Sequence, residues 1–304
     1  MKSVYWVFTL RCNDYCDHCY NDSGPKGEVL DTEELLKVVP NLPADPGRVL
    51  LSGGEPLTEM AKLLALVAAL RQRYGERVPL WVQSNGDLLT EKRLDTLLQA
   101  GISRIDITSM DRFHRKAGGD AERLRDLFSA AGMVEDRDGK APPGGLTYAL
   151  WGANEEIWLG GNWARGRALD KGVAYLNPDH NFCSLWSGAL GFLDEGSERQ
   201  EVHIQLYRLY PCCPTTYYAL GDVREESVDG ILERSGRIEA FRHLNRGDVQ
   251  ALGGEEGLDA EYVQRRIREL GDVCLWCDEY FTRHYRGPKG EARRREPQLY
   301  GIEA

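Results

Sequence analysis

Eight cysteines stand in this chain of 304 residues, and their spacing is the first feature that could do chemistry. Cys12, Cys16 and Cys19 fall in the run Arg11-Cys12-Asn13-Asp14-Tyr15-Cys16-Asp17-His18-Cys19-Tyr20, a CxxxCxxC pattern followed by an aromatic. Cys274 and Cys277 form a CxxC, and Cys183, Cys212 and Cys213 lie between the two groups. Thiolates are soft ligands that suit iron–sulfur clusters and zinc. In a reducing compartment such spacing favours metal binding or redox chemistry over structural disulfides. Most iron–sulfur clusters take four thiolates. Three in one loop would hold three irons and leave the fourth open to a substrate or cofactor. The alternative is a structural zinc site, which needs four ligands. His18 is the local candidate for the fourth, held between two cysteines in a short loop.

These residues need elements to position them, and the first 150 residues alternate between strand and helix signals. Residues 3–10 are apolar, aromatic and β-branched, hence a strand. Residues 31–39 read as a helix with Asp31 or Thr32 as N-cap. Residues 48–52 form a strand ending in Gly53-Gly54. Residues 58–74 carry helical periodicity at Leu63, Leu66, Val67 and Leu70. A strand at 78–83, a helix at 90–100 closed by Gly101, a strand at 102–108, a helix at 121–131 and a strand at 145–150 follow. Repeated βα units imply a parallel sheet with right-handed crossovers. The expected fold is α/β, a partial (β/α)6 TIM-like barrel over residues 1–178. A small cysteine-rich α+β domain and tail follow over 179–304, with strand-like stretches at 201–210 and a charged helix at 255–270. In TIM-like barrels the site lies at the C-terminal ends of the strands. Cys12, Glu55, Ser84, Asn85 and residues 109–114 all fall there.

The bulk numbers set outer bounds. Apolar content is 42% and charged content 28%, ordinary for a globular enzyme. No apolar run approaches the ~20 residues of a membrane span. The apolar N-terminus is too short for a signal peptide and reads as the first strand, so the expected location is the cytoplasm. The formal charge of −10 argues against nucleic acid as a partner and suits a cationic small molecule, or simply keeps the surface soluble.

At the CxxxCxxC run the sequence resembles the radical S-adenosylmethionine (SAM) superfamily, whose hallmark is this spacing after the first barrel strand. The resemblance implies a 4Fe–4S cluster on Cys12, Cys16 and Cys19 whose open iron chelates SAM, and reductive cleavage of SAM to a 5′-deoxyadenosyl radical. Ser52-Gly53-Gly54-Glu55-Pro56 resembles the segment that binds the SAM amino group. There glycines admit a close backbone approach and a carboxylate faces an ammonium. By itself this run is a turn. Ser84 and Asn85 match positions that contact the SAM carboxylate or ribose. Gly166-Arg167-Ala168 resembles a segment at the sixth strand whose arginine approaches the SAM carboxylate. Tyr20 matches an aromatic near adenine. A turn, a surface arginine and core packing are the structural alternatives for these three.

The remaining cysteines resemble the C-terminal extension called twitch, a shortened SPASM domain. That resemblance implies a second 4Fe–4S cluster on Cys183, Cys212, Cys274 and Cys277; a zinc ribbon is the alternative. Adjacent residues on a strand point to opposite faces, so Cys212 and Cys213 should not both bind one cluster. Cys213 is then the spare thiol, either an inert buried side chain or a hydrogen-atom donor.

The layout resembles the compact radical SAM epimerases of antibiotic biosynthesis, the neomycin and avilamycin types that invert a carbinol carbon. The implied substrate is a polar or cationic sugar-containing small molecule, with flavodoxin or ferredoxin as external electron donor. Two rivals are a twitch dehydrogenase of an aminocyclitol and a ribosomal-peptide maturase. The latter commonly carries a leader-binding domain, and only eleven residues precede Cys12. A cluster carrier would not need the Gly53-Gly54-Glu55 pocket. Asp106, Asp111, Arg112 and His114 are candidates to hold the substrate.

Overall fold

The computed structural model describes residues 1–114, 120–141, 144–152, 162–185 and 187–287. Its elements run β1 (Ser3–Thr9), α1 (Thr32–Leu36), β2 (Val49–Gly53), α2 (Met60–Tyr74), β3 (Leu80–Ser84), α3 (Glu91–Ala100), β4 (Arg104–Ile107), α4 (Ala121–Ala130), β5 (Val134–Glu135), β6 (Thr147–Leu150) and α5 (Gly166–Asp170). The second half adds β7 (Glu201–Gln205), β8 (Arg208–Tyr210), β9 (Gly221–Asp222), α6 (Val228–Ser235), α7 (Glu239–Asn245), α8 (Ala260–Leu270) and α9 (Val273–Glu279).

The strands form one mixed sheet in the order β5-β6-β4-β3-β2-β1-β7-β8-β9. From β6 to β7 every pairing is parallel. Successive parallel strands need crossovers, and α1, α2, α3 and α4 supply them. β7 pairs with the far edge of β1 in register, Tyr5 against His203, then turns back through antiparallel β8 and β9. One sheet therefore crosses residue 178, where the sequence suggests a boundary.

The helices are cut as their sequences dictate. Thr90 caps α3 by accepting from the Arg93 N–H, and Gly101 ends it at φ +105°. Asp259 caps α8 in the same way through Tyr262. The expected helix at 58–74 begins two residues later as α helix, because Pro56 opens a 3-10 turn over Pro56–Glu59.

Alternation on β1 gives the sheet two faces. Val4, Trp6 and Phe8 are fully buried against the helices, and Trp6 Nε1 donates to the Leu206 carbonyl oxygen (2.8 Å). Tyr5, Val7 and Thr9 face the other way, and Tyr5 lines a pocket there. A single apolar cluster extends from Val4 to Tyr285 and includes Cys183, Cys212, Cys274 and Cys277. Among the described residues no helix is long and apolar enough to cross a membrane. The charged tail from residue 288 lies outside the described residues.

Gly166-Arg167-Ala168 opens the short helix α5, not a strand. The residues just upstream, 153–161, lie outside those described, and among the described residues no strand stands between β6 and α5.

Candidate active site

The three N-terminal cysteines sit on the loop leaving β1. That loop closes on itself: Gly24 N donates to the Leu10 carbonyl oxygen (3.1 Å) and Cys12 N to the Gly24 oxygen (2.9 Å). The thiols converge: Cys12 and Cys16 both feel the charge of Cys19. Burial pushes Cys12 up to about 12 and raises Cys16 and Cys19 as well. N–H groups oppose that rise: Asp14 N donates to Cys12 Sγ (3.4 Å), and those of Asn21 and Ser23 are directed at Cys19. Cys16 instead donates to Asp14 Oδ2 (3.4 Å). Buried thiols facing N–H donors, as Cys12 and Cys19 do, suit a metal–sulfur group, which replaces the protons and receives the donors.

The end of β2 is zipped onto this loop. Gly54 N donates to the Thr9 oxygen and Glu55 N to the Arg11 oxygen, both 2.8 Å. A Cβ on Gly54 would stand 2.5 Å from the Arg11 oxygen and 2.9 Å from the Leu10 oxygen. The glycines are thus required by the approach of β2 to the cysteine loop, before any ligand is considered.

Glu55 is bonded within the protein. The sequence suggests a carboxylate facing the ammonium of SAM. The side chain is instead fully buried and does not line the pocket. Its oxygens accept from Leu57 N (2.9 Å), Ser84 Oγ (2.9 and 3.1 Å) and Asn85 N (2.7 Å). Glu55 is a clamp between the loops after β2 and β3. Burial raises its carboxyl to about 7, against the pull of these donors.

Ser84 and Asn85 do line the pocket, with Gly53, Gly54 and the three cysteines. Asn85 Nδ2 donates to Asn13 Oδ1 (2.9 Å) and lies 3.9 Å from Cys12 Sγ. Arg167 also lines it, but as a tie on the cysteine loop. Its Nε donates to the Cys16 oxygen (3.0 Å), its Nη2 to the Ser23 oxygen (2.6 Å), and it stacks 3.7 Å over the Tyr15 ring. Gly166 is forced by the same contact: at φ +50°, its Cβ would meet the Tyr20 oxygen at 2.5 Å.

Tyr20 turns into the molecule. Its hydroxyl lies 3.6 Å from Cys213 Sγ, and its ring meets Trp163 edge-on at 4.3 Å. Cys213 itself is buried and is not among the described residues lining the pocket. Cys183, Cys212, Cys274 and Cys277 form a separate group. Cys183 and Cys212 each act electrostatically on both Cys274 and Cys277, which occupy one face of α9 one turn apart. Burial raises all four, Cys212 to about 12. The turn holding Cys212 ends at Thr215, a β-branched residue at φ +59° whose N–H donates to the Cys212 oxygen (3.1 Å).

Sequence reasoning missed Arg165 and treated His18 only as a spare zinc ligand. Arg165 is buried beside the four-cysteine group, ion-paired with Asp278. Its distance in sequence from Asp278 hides it. His18 lines the pocket, stacked on Phe113 at 4.8 Å and edge-on to His114 at 4.8 Å. Burial and His114 lower it to about 4, so it is a neutral ring. Its position between two ligand-type cysteines was the available signal. Asp111 and His114 share this corner, with His114 Nδ1 3.0 Å from Asp111 Oδ1. Asp106 is instead paired with Arg104 (2.9 Å), and Arg112 packs over Phe113 at 5.0 Å; neither lines the pocket.

Residues 6–134 match the radical SAM superfamily. The match takes in the cysteine loop after β1 and the strand ends that line the pocket. Members of that superfamily use a 4Fe–4S cluster and SAM, which is what this similarity implies here. The chain is similar to Fe-coproporphyrin III synthase of Methanosarcina barkeri (strain Fusaro / DSM 804), 32% identical over 136 residues, 41% of this chain and 33% of that one. It is also similar to GTP 3′,8-cyclase of Parasynechococcus marenigrum (strain WH8102), 33% identical over 109 residues, 33% of this chain and 31% of that one. The chain spans about a third of the length of these curated relatives. Among solved structures, BtrN in complex with AdoMet and 2-DOIA aligns with a TM-score of 0.49 at 15% identity, covering 86% of this chain and 90% of that chain.

Proposed function

We propose that the protein is a radical SAM epimerase. It would act on a carbinol carbon of a polar or cationic sugar-type small molecule, with Cys213 returning hydrogen to the opposite face. Cys12, Cys16 and Cys19 would hold the cluster that binds SAM. Cys183, Cys212, Cys274 and Cys277 would hold a second one, within a C-terminal part (179–304) of twitch type that follows a partial barrel (1–178). When bound, SAM on a reduced cluster supplies hydrogen-atom abstraction from an unactivated C–H bond. The rest falls to the chain. Gly53, Gly54, Ser84 and Asn85 line the pocket for the cofactor, and Arg167 and Glu55 hold the loops that carry it. Asp111 and His114 offer polar atoms to substrate hydroxyl or amino groups.

The observation that carries this reading is the divergence of the two adjacent cysteines. Cys212 belongs with Cys183, Cys274 and Cys277, whereas Cys213 meets Tyr20, which lines the pocket. A spare thiol on the pocket side is what an epimerase needs and a dehydrogenase does not. The dehydrogenase remains the second reading, favoured by the His114–Asp111 pair, which could accept a hydroxyl proton.

The test is an anaerobic reaction with SAM, a reductant and candidate amino sugars in deuterium oxide. Epimerisation gives a product heavier by one deuterium at the inverted carbon. A product two hydrogens lighter than substrate establishes the dehydrogenase instead.

A further inference from the structure

We infer that Tyr20 is a hydrogen-atom relay between the substrate radical in the pocket and the thiol of Cys213. The inference rests on the epimerase reading and deepens it. Cys213 is buried and does not line the pocket, whereas Tyr20 does, and the Tyr20 hydroxyl lies 3.6 Å from Cys213 Sγ. Tyr20 therefore touches both the cavity and the thiol.

Tyr20 is held for that task. Trp163 packs edge-on at 4.3 Å, and the Tyr5 hydroxyl is in reach of Tyr20 while bonded to Ser52 Oγ (2.9 Å) and Gln83 Oε1 (3.0 Å). A phenol and a thiol ordinarily keep their hydrogen at neutral pH. Neutral O–H and S–H groups are the forms that transfer hydrogen atoms.

The steps balance. The substrate carbon radical takes the hydrogen atom of the Tyr20 O–H, forming the new C–H bond and leaving a tyrosyl oxygen radical. That oxygen takes the hydrogen atom of the Cys213 S–H, restoring the phenol and leaving a thiyl. One electron from a reduced iron–sulfur or flavin donor, with one solvent proton, restores the thiol. Phenol O–H and thiol S–H bonds are similar in strength and both weaker than an ordinary C–H bond, so the first transfer runs downhill and the second is nearly even.

Three variants of the cluster-loaded enzyme test this in deuterium oxide. Tyr20→Phe keeps the ring and removes the hydroxyl. It should still form 5′-deoxyadenosine and remove the substrate hydrogen, while epimer formation falls by about 100-fold, the cost of a misplaced reacting group. Cys213→Ala should give at most one epimer per enzyme and leave a tyrosyl signal in electron paramagnetic resonance. The double variant should lose both the epimer and the signal. Before any cluster is loaded, the S–H stretching band isolated by the infrared difference between wild type and Cys213→Ala should move in Tyr20→Phe. If Tyr20→Phe makes epimer at close to the wild-type rate with solvent deuterium, or Cys213→Ala shows no tyrosyl signal, the relay is overturned and Cys213 donates directly. If wild-type product carries no solvent deuterium, the epimerase reading itself falls, and the relay with it.

Discussion

At the residue scale, several side chains that resemble ligands by position are ties between loops. Glu55 gathers donors from Leu57, Ser84 and Asn85 in a fully buried site. Glu55→Ala strands those donors, each costing about 1–3 kcal/mol when buried and unpaired. Its melting temperature and its SAM affinity should therefore fall together, measured by thermal unfolding and by titration. A loss of affinity with unchanged stability would restore a direct contact with SAM. The same carboxyl gives a pH signature. Its protonation range is raised from 4.5 to about 7, so the stability it contributes is full below 4.5 and is lost as pH rises through about 7. Across that window the melting temperature of metal-free Glu55→Gln should vary less than that of wild type. Arg165 belongs to the same scale: it is buried and paired with Asp278. Arg165→Met takes the charged partner from the half-buried Asp278 carboxylate, which keeps only the Tyr217 N–H (3.1 Å), and denaturant unfolding should show a loss of about 1–3 kcal/mol.

At the element scale, contact geometry decides where glycine must stand. Gly54 and Gly166 both press against backbone oxygens of the cysteine loop, from β2 and from α5. Gly166→Ala adds a methyl 2.5 Å from the Tyr20 oxygen at a positive φ. It should lower iron uptake on the N-terminal site more than Gly172→Ala, whose added methyl meets nothing within 4 Å at a similar positive φ. Iron content after reconstitution measures this. The βα elements were legible because caps, periodicity and Gly101 are local signals, and β1 to β4 fall within two residues of the expected bounds. The cysteine loop was legible for the same reason. The ties of Arg167, Arg165 and Glu55 were not, because each depends on partners 29 to 151 residues away. The short helices α6 and α7 and the edge strands β5 and β9 lack a long periodic pattern and escaped notice.

At the scale of the whole molecule, β7 on the free edge of β1 joins the two cysteine groups through one sheet and one apolar core. That arrangement brings the Cys212–Cys213 turn beside Tyr20 on the first cysteine loop. It also explains why two neighbouring thiols can serve different groups: one meets the residues of α9, the other the wall of the pocket.

The most direct test of the account is the iron content of anaerobically reconstituted protein alongside SAM cleavage. Wild type should hold about eight irons, four per cluster, and cleave SAM under reducing conditions. The variant with Cys12, Cys16 and Cys19 replaced by alanine should hold about four and cleave none. Zinc without iron in the anaerobically purified protein, or SAM cleavage that survives loss of the three cysteines, would contradict it.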